Sequence, residues 1–220
     1  MTLKIIACEV MKEELLAVAA GRNIEFDFIS MGLHLYPEKL GLELQRILDR
    51  LTGYSRVVLA FGLCGGAVKN LRAGDFLLTI PRVHDCIPLL LGSKACFEKH
   101  RLEEIGTLYL SRGWLNGERS ILSEYSRITE KYGEKRAVSV FGRMYSSYQR
   151  VLFIGTDNPE EDRYLRQSQE ISQVLKLQHH ITQGDLTFIR QIVNGPWQEE
   201  DFITVEPWGV LNEESFLSKT

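Results

Sequence analysis

The sequence of 220 residues lacks a dominant charge sign and a long apolar run. Its formal net charge of -3 gives no electrostatic basis for a nucleic-acid footprint. No stretch approaches the roughly 18 apolar residues that a membrane span needs, and the first apolar run is too short for a signal peptide. We therefore expect a soluble, cytoplasmic protein that binds neither nucleic acid nor membrane.

Closely spaced cysteine pairs are also missing. The four cysteines are Cys8, Cys64, Cys86 and Cys96, and no two of them form a CxxC motif. This spacing excludes a zinc ribbon or a thioredoxin-type motif. Disulfides are not expected in a reducing compartment, so the thiols are predicted to be free or metal-bound.

Short apolar runs alternate with helical patterns along the chain. Strands are predicted at 3–8, 25–31, 56–62 and 75–81, with less marked strand patterns at 107–114, 136–142, 151–157 and 202–208. Helices are predicted at 9–22, 36–51 and 158–177, and His179 and His180 are placed at the solvated end of the last one. This alternation predicts an α/β fold, with a single open, mostly parallel sheet and helices on both faces (Rossmann-like), in one domain over 1–220.

Three of the thiols follow three different predicted strands. Cys8 ends the first strand, Cys64 follows the third in "GLCGG", and Cys86 follows the fourth in "IPRVHDCIPLL". If these strands are parallel, the three thiols lie at the carboxyl edge of one sheet, where open α/β sheets bind their ligands. Cys96 lies in a different context and is interpreted as structural.

A set of three thiols is suited to soft metals. Cysteine thiolates bind zinc or an iron–sulfur cluster, so Cys8, Cys64 and Cys86 predict either zinc or a [4Fe-4S] cluster. Three protein ligands leave a coordination position open, which is the arrangement of a catalytic metal. His84 is an additional or alternative ligand.

Polar residues near the thiols are candidates for substrate binding and proton transfer. Arg82 presents a fixed positive fork for the carboxylate or phosphate of an anionic small-molecule substrate. His84 and Asp85 are predicted to transfer protons.

Three further residues are predicted to bind substrate at the same edge. His34 follows the second strand and reaches that edge. The amides of Gly65 and Gly66 can approach an anion.

A metal-free cysteine hydrolase or transferase is the alternative. "GLCGG" is similar to a nucleophile elbow with cysteine in place of serine, so Cys64 or Cys86 is a candidate nucleophile, with His84 as base and Asp85 as its orienting group. The glycine pattern is neither a Walker A loop nor G-x-G-x-x-G, so nucleotide binding has no specific support.

The motifs "GLCGG", "IPRVHDCIPLLLGS" and "GTLYLSRGWL" resemble the prokaryotic domain of unknown function 1638. The family pattern also has an N-terminal cysteine, a Leu-His pair before a proline, and a C-terminal segment similar to "GPWQEEDFITVEP", so the likeness spans most of the chain. It includes Cys8, Leu33-His34 with Pro37, Gly62 to Gly65, Pro81 to Cys86, and Leu91 to Ser93.

The resemblance implies a metabolic setting more than a reaction. Members of the family often occur near corrinoid-dependent methyltransferases, so it implies an enzyme of one-carbon or corrinoid-linked methyl-transfer metabolism. The alternative is a non-catalytic carrier of a metal, corrinoid or cluster, whose partner is a corrinoid protein or a methyltransferase. In that case the corrinoid is supplied through the partner.

Overall fold

The computed structural model describes residues 2–116 and 120–216, and the chain divides into two compact units. Unit 1 comprises residues 1–89 and 187–220, and unit 2 comprises residues 90–186. Unit 1 is therefore built from two separate stretches of sequence. The expectation of a single domain stays a prediction.

Unit 1 contains a five-stranded sheet surrounded by helices. Its elements are β1 (Leu3–Cys8), α1 (Lys12–Val18), β2 (Glu25–Ile29), α2 (Pro37–Leu48), β3 (Arg56–Ala60), β4 (Leu77–Pro81), α3 (Ile87–Leu90), α9 (Thr187–Asn194) and β8 (Phe202–Val205). The strand order is β2-β1-β3-β4-β8, in which the first four strands are parallel and β8 pairs antiparallel with β4.

The core strands of unit 1 are buried along nearly their whole length. Ile5 and Ile6 in β1 and Val57, Val58 and Leu59 in β3 are all fully buried. A parallel strand covered on both faces has a nearly continuous apolar sequence, which is why these strands are predictable from sequence. The adjacent helices α1 and α9 pack on each other.

Unit 2 contains a three-stranded parallel sheet in the order β5-β6-β7. Its elements are α4 (Lys94–Glu103), β5 (Thr107–Leu110), α5 (Arg112–Asn116), α6 (Ile121–Tyr132), α7 (Glu134–Met144), β6 (Arg150–Gly155), α8 (Glu161–Leu175) and β7 (Gln178–Gln183). The buried cluster of this unit consists of Leu110, Leu115, Val151, Phe153, Tyr164 and Ile171.

The α/β class with open, mostly parallel sheets is confirmed. The strands form two sheets, however, where the sequence predicted one. The strand predicted at 136–142 is wrong, because this segment lies in α7, and 107–114 is a strand only to Leu110. His179 and His180 lie in strand β7 rather than at a helix end.

Within residues 2–116 and 120–216, every helix is too short or too polar to cross a membrane.

Candidate functional site

The parallel strands of unit 1 bring three thiols to one edge of the sheet. From β1, strand β2 lies on one side and β3 and β4 on the other, so the strand order reverses at β1. Ligand crevices of open α/β sheets form at the carboxyl ends of strands at such a point. Cys8 is the last residue of β1, Cys64 follows β3, and Cys86 follows β4.

The three thiols are close enough to interact with one another. Cys8 and Cys86 are buried, and the three lie near enough that ionisation of one thiol would raise the pKa of its neighbours. Burial, with smaller contributions from Cys64 and Glu9 and against a lowering hydrogen bond at Val10, raises the pKa of Cys8 to about 12. Burial also raises the pKa of Cys64 to about 12, while the pKa of the Cys86 thiol lies well above its ordinary value.

Two backbone hydrogen bonds join the segments that carry Cys64 and Cys86. The Leu63 amide donates to the Val83 carbonyl and the Cys64 amide donates to the His84 carbonyl, each at 2.9 Å. A Cβ at Gly62 would lie 2.5 Å from the Asp85 amide nitrogen, so only glycine fits between the two segments. Gly62, the first glycine of "GLCGG", therefore permits a close backbone contact between this motif and "IPRVHDCIPLL".

Cys64 has a strained backbone conformation. Its φ is 46°, in the left-handed region, and Gly65 and Gly66 follow with φ of 67° and 91°. A residue other than glycine in this region costs about 1–2 kcal/mol, which other contacts must offset. Such strain is concentrated at functional sites, so the conformation of Cys64 supports a role for its side chain.

His34 reaches the same edge of the sheet from the 3-10 helix Met31–Leu35, which follows β2. Its ring stacks on Phe61 with a centroid distance of 6.1 Å. Its Nε2 is buried and has no hydrogen-bond partner in the described part of the chain. Burial lowers the pKa of His34, and the nearby Glu9 carboxylate opposes this effect. A neutral imidazole with one unpartnered nitrogen is available to bind a ligand.

Glu9 is a site residue that the sequence analysis missed. Its Oε1 accepts hydrogen bonds from the Met31 amide at 2.7 Å and from Ser30 Oγ at 3.1 Å. The carboxylate therefore joins the ends of β1 and β2 and influences both Cys8 and His34. An acidic residue directly after the first buried strand is the sequence signal that would have identified it.

His84 and Asp85 differ in their surroundings. Asp85 Oδ1 accepts a hydrogen bond of 2.9 Å from the Ile87 amide at the start of α3. Burial raises the pKa of Asp85, while this hydrogen bond and His84 oppose the increase. His84 is exposed to solvent. The predicted proton transfer by this pair stays a prediction, although Asp85 interacts electrostatically with both Cys64 and Cys86.

The guanidinium of Arg82 binds backbone carbonyls. Its Nε and Nη2 donate to the Glu199 carbonyl at 3.2 and 3.0 Å, and its Nη1 donates to the Ser215 carbonyl. A further hydrogen bond of 3.5 Å joins Nη2 to the Phe202 carbonyl. This arrangement favours a structural role, in which Arg82 holds the C-terminal segment, over the predicted anion-binding role.

Gly65 and Gly66 line an open groove of about 600 Å³ beside the first turns of α2. Helix α2 approaches closely here, since a Cβ at Gly41 would lie 2.6 Å from the Ala67 carbonyl oxygen. Lys69 also lines the groove and forms an exposed ion pair of 2.6 Å with Glu213. The two glycines therefore border a space large enough for a small substrate.

The thiols of Cys8, Cys64 and Cys86 are chemically suited to a thiophilic metal, but in this structure their side chains are not arranged as metal ligands. Among the residues that the structure describes, no group of three or more His, Cys, Asp and Glu side chains is positioned to hold a metal ion. Metal binding would therefore require the thiols to rotate toward a common point as they lose their protons.

Comparison with known proteins identifies one family. The model of a family described as "Protein of unknown function (DUF1638)" matches residues 28–193. No curated protein and no solved structure matches the chain. The matched range includes Cys64 and Cys86, whereas Cys8 lies before it.

Proposed function

Because the chain belongs to the DUF1638 family, whose description names no reaction, we propose a function from the residues themselves. The chain is a metal-binding enzyme of one-carbon or corrinoid-linked methyl-transfer metabolism, and Cys8, Cys64 and Cys86 hold its zinc or [4Fe-4S] cluster. The observation that carries this proposal is that three thiols, at the end of β1 and in the segments after β3 and β4, lie at the point where the strand order reverses.

The thiol environment supports a metal over a metal-free nucleophile. A catalytic cysteine needs a lowered pKa, because only the thiolate attacks. Burial instead raises the pKa of Cys8 and Cys64 to about 12, so both are protonated at neutral pH without a metal. A soft cation stabilises thiolates directly and promotes loss of these protons.

The neighbouring residues would bind and orient the substrate. Held by Cys8, Cys64 and Cys86, a zinc ion would supply a Lewis acid, and an iron–sulfur cluster would supply an affinity for substrate oxygen or sulfur. His34 Nε2 provides a hydrogen bond to the substrate, and the groove beside Gly65 and Gly66 accommodates its anionic part. His84 and Asp85 exchange protons at the exposed end of the site.

Metal analysis of protein purified without oxygen or chelators tests the proposal. The wild type and the control variant Cys96→Ser should retain the same amount of metal. Each of Cys8→Ser, Cys64→Ser and Cys86→Ser should lose it, because a hydroxyl is a poor ligand for a thiophilic metal. Iron with sulfide and a broad visible absorbance would identify the cluster, and zinc in a colourless protein would identify the Lewis acid. Full metal retention in all three site variants would refute the ligand set.

A carrier function is the second candidate, because apolar side chains are exposed beside the groove. Leu35 and Leu42 are 68% and 74% exposed, and Tyr36 between them is also exposed. Exposed apolar groups next to a site favour docking of a protein, here a corrinoid protein or a methyltransferase. Binding of a purified corrinoid protein should be weakened by Leu42→Glu and unchanged by Leu102→Glu, whose leucine is exposed on α4. Equal binding by both variants would refute this second candidate.

A further inference from the structure

A second pocket lies at the amino edge of the unit 1 sheet, where the strands begin. It has a volume of about 370 Å³. Its walls come from the starts of β1 and β3, the residues before β2, the end of α9 and the following loop, and they include Leu3, Arg22, Ile24, Arg56, Val193 and Trp197. The three thiols lie at the opposite, carboxyl edge of this sheet, so the pocket is separate from the site proposed above.

Arg56 is held in one orientation at this pocket. Its guanidinium carbon lies 4.4 Å from the centre of the Trp197 ring, and its Nη1 donates to Thr79 Oγ1. Its Nε is buried and has no hydrogen-bond partner among residues 2–116 and 120–216. Burial lowers the pKa of Arg56, an effect that the Glu206 carboxylate opposes. The fixed cation thus keeps an Nε donor that no described residue engages.

Arg22 adds a second positive charge to the same pocket. Its side chain is exposed and forms no ion pair with any residue that the structure describes. The nearby Glu25 is already engaged, since its carboxylate accepts a hydrogen bond of 2.6 Å from Tyr54 and lies 3.9 Å from Lys4 Nζ. Two guanidinium groups at a concave surface focus a positive potential and attract anions.

We propose that this pocket binds a small metabolite through a phosphate or carboxylate group. The oxyanion lies between Arg22 and Arg56, because guanidinium groups bind both anions through paired hydrogen bonds. The uncharged part of the ligand rests on Leu3, Ile24 and Val193. This second site takes a different ligand from the metal site and does not depend on it.

Calorimetric titration of the full chain tests the proposal, with inorganic phosphate, phenyl phosphate and benzoate as probes. We expect phenyl phosphate or benzoate to bind the wild type, and the tighter of the two identifies the preferred anion. Arg22→Gln should weaken binding by about tenfold or more, since it removes one charged partner of the anion. Arg22 is exposed and unpaired among the described residues, so this variant should fold normally.

Two further variants make the test specific. Arg166→Gln removes an exposed arginine on α8 that forms no ion pair with a described residue, and it should bind the probes like the wild type. Arg56→Lys keeps the charge but loses the planar fork, and it should bind more weakly. Absence of binding by the wild type at concentrations of about 10 mM, or equal weakening by Arg22→Gln and Arg166→Gln, would overturn the proposal.

Discussion

Replacement of Gly62 by alanine should strongly destabilise the chain. The added Cβ would lie 2.5 Å from the Asp85 amide nitrogen and 2.7 Å from the Asp85 Cα and the His84 carbonyl carbon. All three contacts are with backbone atoms, so no side-chain rotation relieves them. The two segments must separate, and the hydrogen bonds from Leu63 to Val83 and from Cys64 to His84 are weakened or lost.

The expected magnitude follows from these contacts. Two backbone hydrogen bonds contribute about 1 kcal/mol each, and overpacking of a tight contact costs about 1–3 kcal/mol. We therefore expect Gly62→Ala to reduce the free energy of unfolding by about 3–5 kcal/mol. The variant should also bind less metal, because Cys64 and Cys86 lie on the two segments that it separates.

Urea unfolding followed by circular dichroism measures this effect, with Gly142→Ala as the control. Gly142 lies inside α7 and a Cβ there would meet no atom within 4 Å. Alanine stabilises a helix interior by about 1 kcal/mol relative to glycine, so the control should be as stable as the wild type or more stable. Wild-type stability of Gly62→Ala would refute the close contact between the two motifs.

Three other predictions concern thiol reactivity, the C-terminal segment and pH. After chelation, Cys64 should react with iodoacetamide about 1000-fold more slowly than an ordinary thiol near neutral pH, because its pKa is raised from 9.0 to about 12. Mass spectrometry measures the alkylation rate, and rapid alkylation of Cys64 would restore the hypothesis that it is a nucleophile. Arg82→Met should lower the free energy of unfolding by about 2 kcal/mol and speed proteolysis near Ser215, because the Glu199 and Ser215 carbonyls lose a charged donor. Unchanged stability would favour the anion-binding role of Arg82 instead. Burial lowers the pKa of His34 and His179, so the folded chain binds fewer protons than the unfolded chain below the ordinary value of 6.5. Stability should therefore fall as pH decreases through this range, and His179→Gln should flatten the dependence in urea titrations; an unchanged slope would contradict this account.

The elements that the sequence predicted correctly have a clear apolar pattern. Strands β1, β3 and β4 are buried on both faces, so each has a nearly continuous apolar sequence, interrupted by Lys4 in β1 and Thr79 in β4. Helix α2 has Pro37 at its first position and apolar residues on one face, which is a sufficient helical signal.

The errors in strand prediction also have physical causes. Residues 136–142 contain Val138 and Val140, which favour strands, but the buried positions are Ala137 and Phe141. Their spacing of four residues is that of a helix face. Strand β7 has the polar sequence "QHHITQ" and lies at the end of its sheet beside β6, so it has little apolar pattern to detect.

Tertiary contacts limited prediction of the site. The order of residues along the chain indicates that Cys8, Cys64 and Cys86 follow strands, and parallel pairing then brings them to one edge. The carbonyl partners of Arg82 come from residues more than a hundred positions away, so no local pattern reveals that its fork is occupied. The two-sheet arrangement was missed for a related reason, because alternation of strands and helices does not specify which strands pair.

The discontinuity of unit 1 has a consequence for synthesis of the chain on the ribosome. Strand β4 emerges early, whereas its antiparallel neighbour β8 is made only after all of unit 2. The interval between Leu89 and Phe202 takes on the order of ten seconds to translate, at about 5–20 residues per second. During that time β4 presents an unpaired apolar edge on the nascent chain, so a chaperone that covers exposed strand edges should increase the yield of native protein.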